Sequence, residues 1–150
     1  MGPEHADTAL AESAQQVLET MCFADSSPIQ GPPEECAEPI AAQVEFRGHW
    51  TGRCIVEMPE NCARELAGNF LGVLDASEVE AESMIELMCE FTNMICGSTI
   101  TRLQCPGLVT LSSPHLVSEW PADSLEQTAE CRLDVGNGVV RVAFETGEPA

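Results

Sequence analysis

The 150-residue chain contains no lysine and no tyrosine, and six arginines oppose 25 aspartates and glutamates, for a formal charge of −19. Without lysine there is no Schiff-base catalysis and no P-loop lysine to grip a phosphate. So few cations on so acidic a chain mean repulsion from nucleic acid and from anionic membrane surfaces, which excludes both as partners. Long apolar runs are missing as well, none approaching the ~18 residues of a bilayer-spanning helix. The first residues lack the basic start of a signal peptide and carry Glu4, Asp7 and Glu12 instead, so a cytoplasmic location is expected. The acidity itself has two readings, solubility or host adaptation on one hand and a surface matched to a basic partner on the other.

What remains is an ordinary globular composition. Hydrophobic residues make up 44% of the chain, enough for a real core, and a chain of this length is expected to form one domain, with residues 1–6 and 146–150 as frayed ends. Eight cysteines (Cys22, Cys36, Cys54, Cys62, Cys89, Cys96, Cys105 and Cys131) include no C-x-x-C pair. Cys89 and Cys96 are two helical turns apart, about 10 Å, too far to chelate one zinc ion. Buried apolar thiols are expected, without disulfides and with no metal site. His5, His49 and His115 have no clustered carboxylates at ligand spacing. Trp50 and Trp120 read as packing residues or interface anchors.

Periodicity lays out the elements. Leu10, Ala14, Val17, Leu18 and Met21 give one apolar face to a helix over 7–23. Residues 25–39, rich in proline, form an irregular connection. Strands at 44–47 and 54–58 flank Gly48-His-Trp-Thr-Gly52 as a hairpin. Pro59 and an Asn61 N-cap then introduce a helix over 61–72 with Cys62, Leu66, Ala67, Phe70 and Leu71 on its inner side. A long helix over 78–103 ends before Pro106-Gly107. A strand at 108–111 follows, and Gly136-Asn-Gly138 joins segments 128–135 and 139–144 as a second hairpin. Blocks of helix and strand without βαβ alternation predict an α+β fold, a largely antiparallel sheet packed against two or three helices.

The long helix carries the most informative pattern. At 100° per residue Glu82, Glu86, Glu90, Asn93 and Gly97 share one stripe, while Met84, Leu87, Met88, Phe91, Met94 and Ile95 cover the opposite side. Carboxylates and a carboxamide at turn spacing have no use in a core, so the stripe is expected to face water or a partner. A Glu-x-x-Asn pair could engage a cation with one side chain and a water with the other.

Glu90-Phe-Thr-Asn93-Met-Ile-Cys-Gly97 resembles the signature of the CheX branch of the CheC/CheX/FliY chemotaxis phosphatases, a helical Glu-x-x-Asn followed by a small apolar segment and glycine. Phe46 to Ala63 is similar to that family's hairpin-to-helix block, and Leu111-Ser-Ser-Pro114-His-Leu-Val117 to its segment after the motif helix. One departure is Glu86, where relatives often carry Ser or Asp. The resemblance implies a CheC-like fold and, with a single motif copy, a CheX arrangement. It implies a phosphatase acting on the phospho-aspartate of a phosphorylated CheY-like response regulator. Glu90 would dock on the receiver lysine and Asn93 orient the attacking water, with Glu82, Glu86 and Gly97 as secondary partner contacts. No cofactor of its own is implied, since Mg²⁺ comes with the receiver. A homodimer through an open edge of the second hairpin fits the resemblance. The competing functions are a non-catalytic receiver-binding or scaffold module, and a thiol-based metal or redox sensor.

Overall fold

The computed structural model describes residues 4–31 and 35–149. Residues 1–3 and 150 of the expected frayed ends, and residues 32–34 of the expected irregular connection, lie outside the described residues. Helix α1 spans Ala6–Cys22, strands β1 Ser27–Pro28, β2 Pro39–Arg47 and β3 Gly52–Pro59, and helix α2 Glu60–Leu71. Helix α3 spans Ala81–Arg102, followed by β4 Thr110–Leu111, β5 His115–Val117, β6 Leu125–Asp134 and β7 Val139–Pro149. One sheet runs in the order β1-β6-β7-β3-β2-β4, with β5 also on β2, and its neighbours are all antiparallel. The α+β architecture expected from the block order is the one observed.

Strand alternation divides the sheet into two unlike faces. Toward the helices point Val44, Phe46, Cys54, Val56, Met58, Val140, Val142 and Phe144, all buried in one core with the inner sides of α1, α2 and α3. Phe46 and Phe144 stack at 5.0 Å between ring centroids, tying β2 to β7 across β3. Gly52 fills the crossing point, since a Cβ there would meet the Glu145 carbonyl oxygen at 1.8 Å.

The far face is mixed and partly covered, with Ala41, Ile55 and Ala143 buried beside a polar row. Arg53, Glu145 and Thr128 are register partners across β3, β7 and β6. Arg53 Nε donates to Glu145 at 2.6 Å, and Thr128 Oγ1 donates to the same carboxylate at 2.9 Å. The chain between β5 and β6 lies over this row: Arg53 also donates to the Asp123 carbonyl at 2.8 Å, and Trp120 stacks on the Arg141 guanidinium at 3.6 Å. Trp120 is thus an internal anchor, while half-buried Trp50 packs against the core.

Local chemistry moves several boundaries. Asn61 lies inside the first turn of α2, and Pro59 holds the N-cap position. The Glu38 carbonyl accepts from Glu60 N–H at 2.9 Å, so the end of β3 starts the helix early. The motif helix begins at Ala81, not 78, because Asp75 accepts from both Ser77 N–H and Ser77 Oγ and closes a separate 3₁₀ turn over Ala76–Glu78. The strand expected from 108 is only Thr110–Leu111, and β5 pairs with β2 where no strand was read. Residues 146–149, expected to fray, continue β7, with Gly147 N–H bonded to the Thr51 carbonyl at 2.8 Å.

The cysteines are free thiols, with Cys22, Cys54, Cys62 and Cys96 buried and the other four half-buried. Burial pushes Cys22, Cys62 and Cys131 up to about 12, which removes thiolate chemistry near neutral pH. Among the described residues no cluster of three or more His, Cys, Asp or Glu could hold a metal ion.

The Arg53–Glu145 pair is nearly enclosed, with side chains 12% and 6% exposed. Removing one partner strands the other charge, so Arg53→Ala or Glu145→Ala should cost about 3–5 kcal/mol in urea unfolding. The double replacement Arg53→Met/Glu145→Leu should recover much of that loss.

Candidate functional site

Helix α3 is held by its apolar side. Met88, Phe91, Ile95 and Cys96 have no more than trace exposure, and Met84 and Leu87 are buried with them. Thr92 and Thr99 sit on this side too and satisfy their hydroxyls locally, each donating at 2.7 Å to the carbonyl four residues earlier. Helical geometry then fixes the opposite stripe outward: Glu82, Glu86 and Glu90 are exposed, and Asn93 and Gly97 are half-buried. Glu90 and Gly97 are about 10 Å apart along the axis, so the stripe presents a short ridge.

The stripe is chemically unspent. Among the described residues, neither the Glu90 carboxylate nor the Asn93 carboxamide has a hydrogen-bond or ion-pair partner. The nearby cation, Arg102, turns to α1 and bonds Glu12 at 3.2 Å and Gln16. Arg64 bonds Glu60 and the Val79 carbonyl, and Arg141 bonds Glu130. Glu90 therefore offers an uncompensated anion, and Asn93, one turn on, offers both donor and acceptor to a water or a partner group. Glu82 stands in the first turn of α3, where a carboxylate also favours the helix dipole.

Gly97 has no packing role. A Cβ built there meets nothing within 4 Å, so helix–sheet contact does not demand glycine at this position.

Three apolar residues depart from the sequence reading. Phe70 and Leu71, assigned to the inner side of α2, and Met94, assigned to the inner side of α3, all reach the surface. The buried side of α2 ends at Gly68, and Phe70 and Leu71 form its last, exposed turn before Gly72 (φ 75°) caps it. With Met21 of α1 these side chains line a groove, and the α3 wall that carries Met94 also carries Glu86 and Glu90. Periodicity alone did not reveal it, because an apolar residue at helical spacing reads as core.

Among solved structures, the chemotaxis protein CheX from Vibrio vulnificus is 19% identical, covers 97% of this chain and 99% of its own, and superposes with a TM-score of 0.80. A chemotaxis protein CheX from Desulfovibrio desulfuricans is 20% identical over 94% of this chain and 98% of its own, with a TM-score of 0.70. The CheX–CheY–BeF3–Mg complex from Borrelia burgdorferi is 17% identical over 94% of this chain and 97% of its matched chain, with a TM-score of 0.73. At these identities the likeness is one of fold. No curated protein sequence matches the chain. No helix among the described residues is long and apolar enough to cross a membrane. Residues 40–133, well over half of the chain and including the whole Glu90–Asn93 motif, match the family described as chemotaxis phosphatase CheX, and the chain belongs to that family.

Proposed function

We propose that this chain hydrolyses the phospho-aspartate of a CheY-type receiver domain, with Glu90 and Asn93 as its catalytic residues. The observation that carries the reading is the unpartnered Glu-x-x-Asn pair, Glu90 exposed and Asn93 half-buried, on a helix whose other side is locked in the core. A solved relative, the Borrelia burgdorferi CheX, is in complex with CheY, BeF3 and Mg²⁺, which supports a receiver as partner.

The division of labour follows from the chemistry. An acyl phosphate is already activated, and its hydrolysis through a loose transition state depends on positioning and on charge stabilisation. The receiver brings Mg²⁺ and a lysine to the phosphoryl oxygens. Glu90 supplies the anion that pairs with that lysine and sets the register of the two proteins. Asn93, one turn further along, holds a water in line with phosphorus by accepting from it through Oδ1. No strong base is needed, because the nucleophile requires orientation more than early deprotonation. A hundredfold acceleration asks for only ~2.7 kcal/mol, within reach of one well-placed polar contact. No covalent intermediate on this chain is required. Glu82 and Glu86 extend the acidic contact surface toward basic groups on the receiver. Gly97, bare on the same stripe, allows the receiver backbone a close approach.

A homodimer forms through the outer edge of β6. Strand β1 pairs only with Leu133 and Asp134, which leaves residues 125–131 without a strand partner on that side among the described residues. Asp7 blocks one point of this edge by accepting from Glu130 N–H at 3.3 Å, so pairing there displaces that contact. Sedimentation should give twice the chain mass, and a monomer at all concentrations would remove the dimer.

Phosphate release from a phosphorylated receiver tests the catalytic reading. Asn93→Ala should keep receiver affinity and lose roughly a hundredfold in turnover, whereas Glu90→Ala should weaken both. Equal release with and without the wild-type protein would leave only a receiver-binding scaffold. Gly97→Ala separates folding from docking. With open space around it, alanine should stabilise the helix by about 0.5–1 kcal/mol in thermal unfolding. The same variant should release phosphate more slowly, and full activity would show that the receiver does not approach Gly97.

A further inference from the structure

Exposed apolar side chains are ordinary when scattered, as Phe23, Leu74 and Leu108 are here, but three beside the motif converge on one groove. Phe70 is 49% exposed, Leu71 51% and Met94 38%. Together with Met21 they line a groove of about 550 Å³ between α1, α2 and α3. Glu86 and Glu90 belong to its wall, so the groove opens directly off the catalytic stripe. Met94 is one helical turn beyond Glu90 and adjacent in sequence to Asn93. No arginine takes part in the lining.

We propose that this groove seats an apolar side chain of the receiver, carried on a basic segment beside the receiver's active centre. The inference rests on Glu90 and Asn93 being the receiver-facing pair. Continuity supports it, because a receiver engaged by Glu90 already covers one wall of the groove. Charge complementarity supports it too: an apolar floor with a carboxylate wall suits an aliphatic or aromatic residue flanked by lysine or arginine. A second copy of this chain suits this groove poorly, since with six arginines and no lysine it has few cations to set against Glu86 and Glu90. An anionic lipid surface fails for the same reason. The groove would thus divide recognition from chemistry. Phe70, Leu71 and Met94 act as desolvated anchors that hold the receiver, while Asn93 orients the water.

The test uses the full chain and receiver domains from the same cell, each loaded with Mg²⁺ and beryllofluoride for binding and phosphorylated for turnover. The half-exposed positions tolerate polar replacement, and thermal unfolding checks that Phe70→Ser/Leu71→Ser is folded. This double variant should raise Kd for the beryllofluoride-loaded receiver about tenfold, with a similar rise in KM, and the loss should fall on KM and not on kcat. Met94→Ser should shift both constants in the same direction. Wild-type Kd and KM in both variants would overturn the groove while leaving the phosphatase reading intact. Binding without turnover by the wild-type protein would sink hydrolysis, and the groove would still stand or fall on Kd. Failure of the wild-type protein to bind any receiver would overturn both. A wild-type dimer that the double variant breaks into monomers would assign the face to a second copy and overturn the proposal.

Discussion

The site depends on how firmly one side of α3 is held. Met88, Phe91, Ile95 and Cys96 are enclosed between the sheet and the other two helices, and truncating a residue such as Phe91 costs about 3–5 kcal/mol in an enclosed position. A helix gripped this way cannot rotate about its axis without exposing those side chains. Glu90 and Asn93 are therefore presented at a set angle before any partner arrives. Preorganisation of this kind suits chemistry in which orientation of a water is the main contribution. It also explains why a long helix with carboxylates at turn spacing is stable: its stability comes from the buried side.

Charge is distributed with the same asymmetry. Arg53 and Arg141 serve the far face of the sheet, Arg64 ties α2 to the segment before α3, and Arg102 ties α3 to α1. With no lysine anywhere in the chain, Arg53, Arg64, Arg102 and Arg141 are committed to internal contacts, and among the described residues no ion pair neutralises Glu90. Three of the chain's acidic side chains, Glu82, Glu86 and Glu90, are thus displayed together along the ridge. An acidic ridge of this kind is electrostatically suited to a partner surface that carries cations. The buried Arg53–Glu145 pair does the opposite work, using charge to join β3, β7 and the covering chain.

Much of this was legible in the residues. Blocks of helix and strand gave the α+β class, and the 3.6-residue period placed α1 and, apart from Met94, α3 with the correct sides inward. Glu90 and Asn93 were readable because polar side chains at turn spacing on an otherwise apolar helix have few explanations. Illegible features came from tertiary context. The separate turn at Asp75–Ser77 depends on a local side-chain hydrogen bond that competes with the helix. Strand β5 has only three residues and exists because β2 offers it an edge. Met94 stands one turn after Glu90, so the helical period itself turns it toward the outward side, whereas the exposure of Phe70 and Leu71 at the end of α2 is set by tertiary packing that periodicity does not carry. The pairing of β7 to Pro149 likewise follows from its neighbours β3 and β6.

The family relation and the geometry meet in one claim, that the outward ridge of α3 enters the receiver's active centre. The most direct measurement is a structure of this chain with a receiver loaded with Mg²⁺ and beryllofluoride. The account predicts Asn93 Oδ1 at ~3 Å from a water in line with beryllium, and Glu90 at a similar distance from the receiver lysine. A receiver bound elsewhere, with Glu90 and Asn93 still facing solvent, would contradict it.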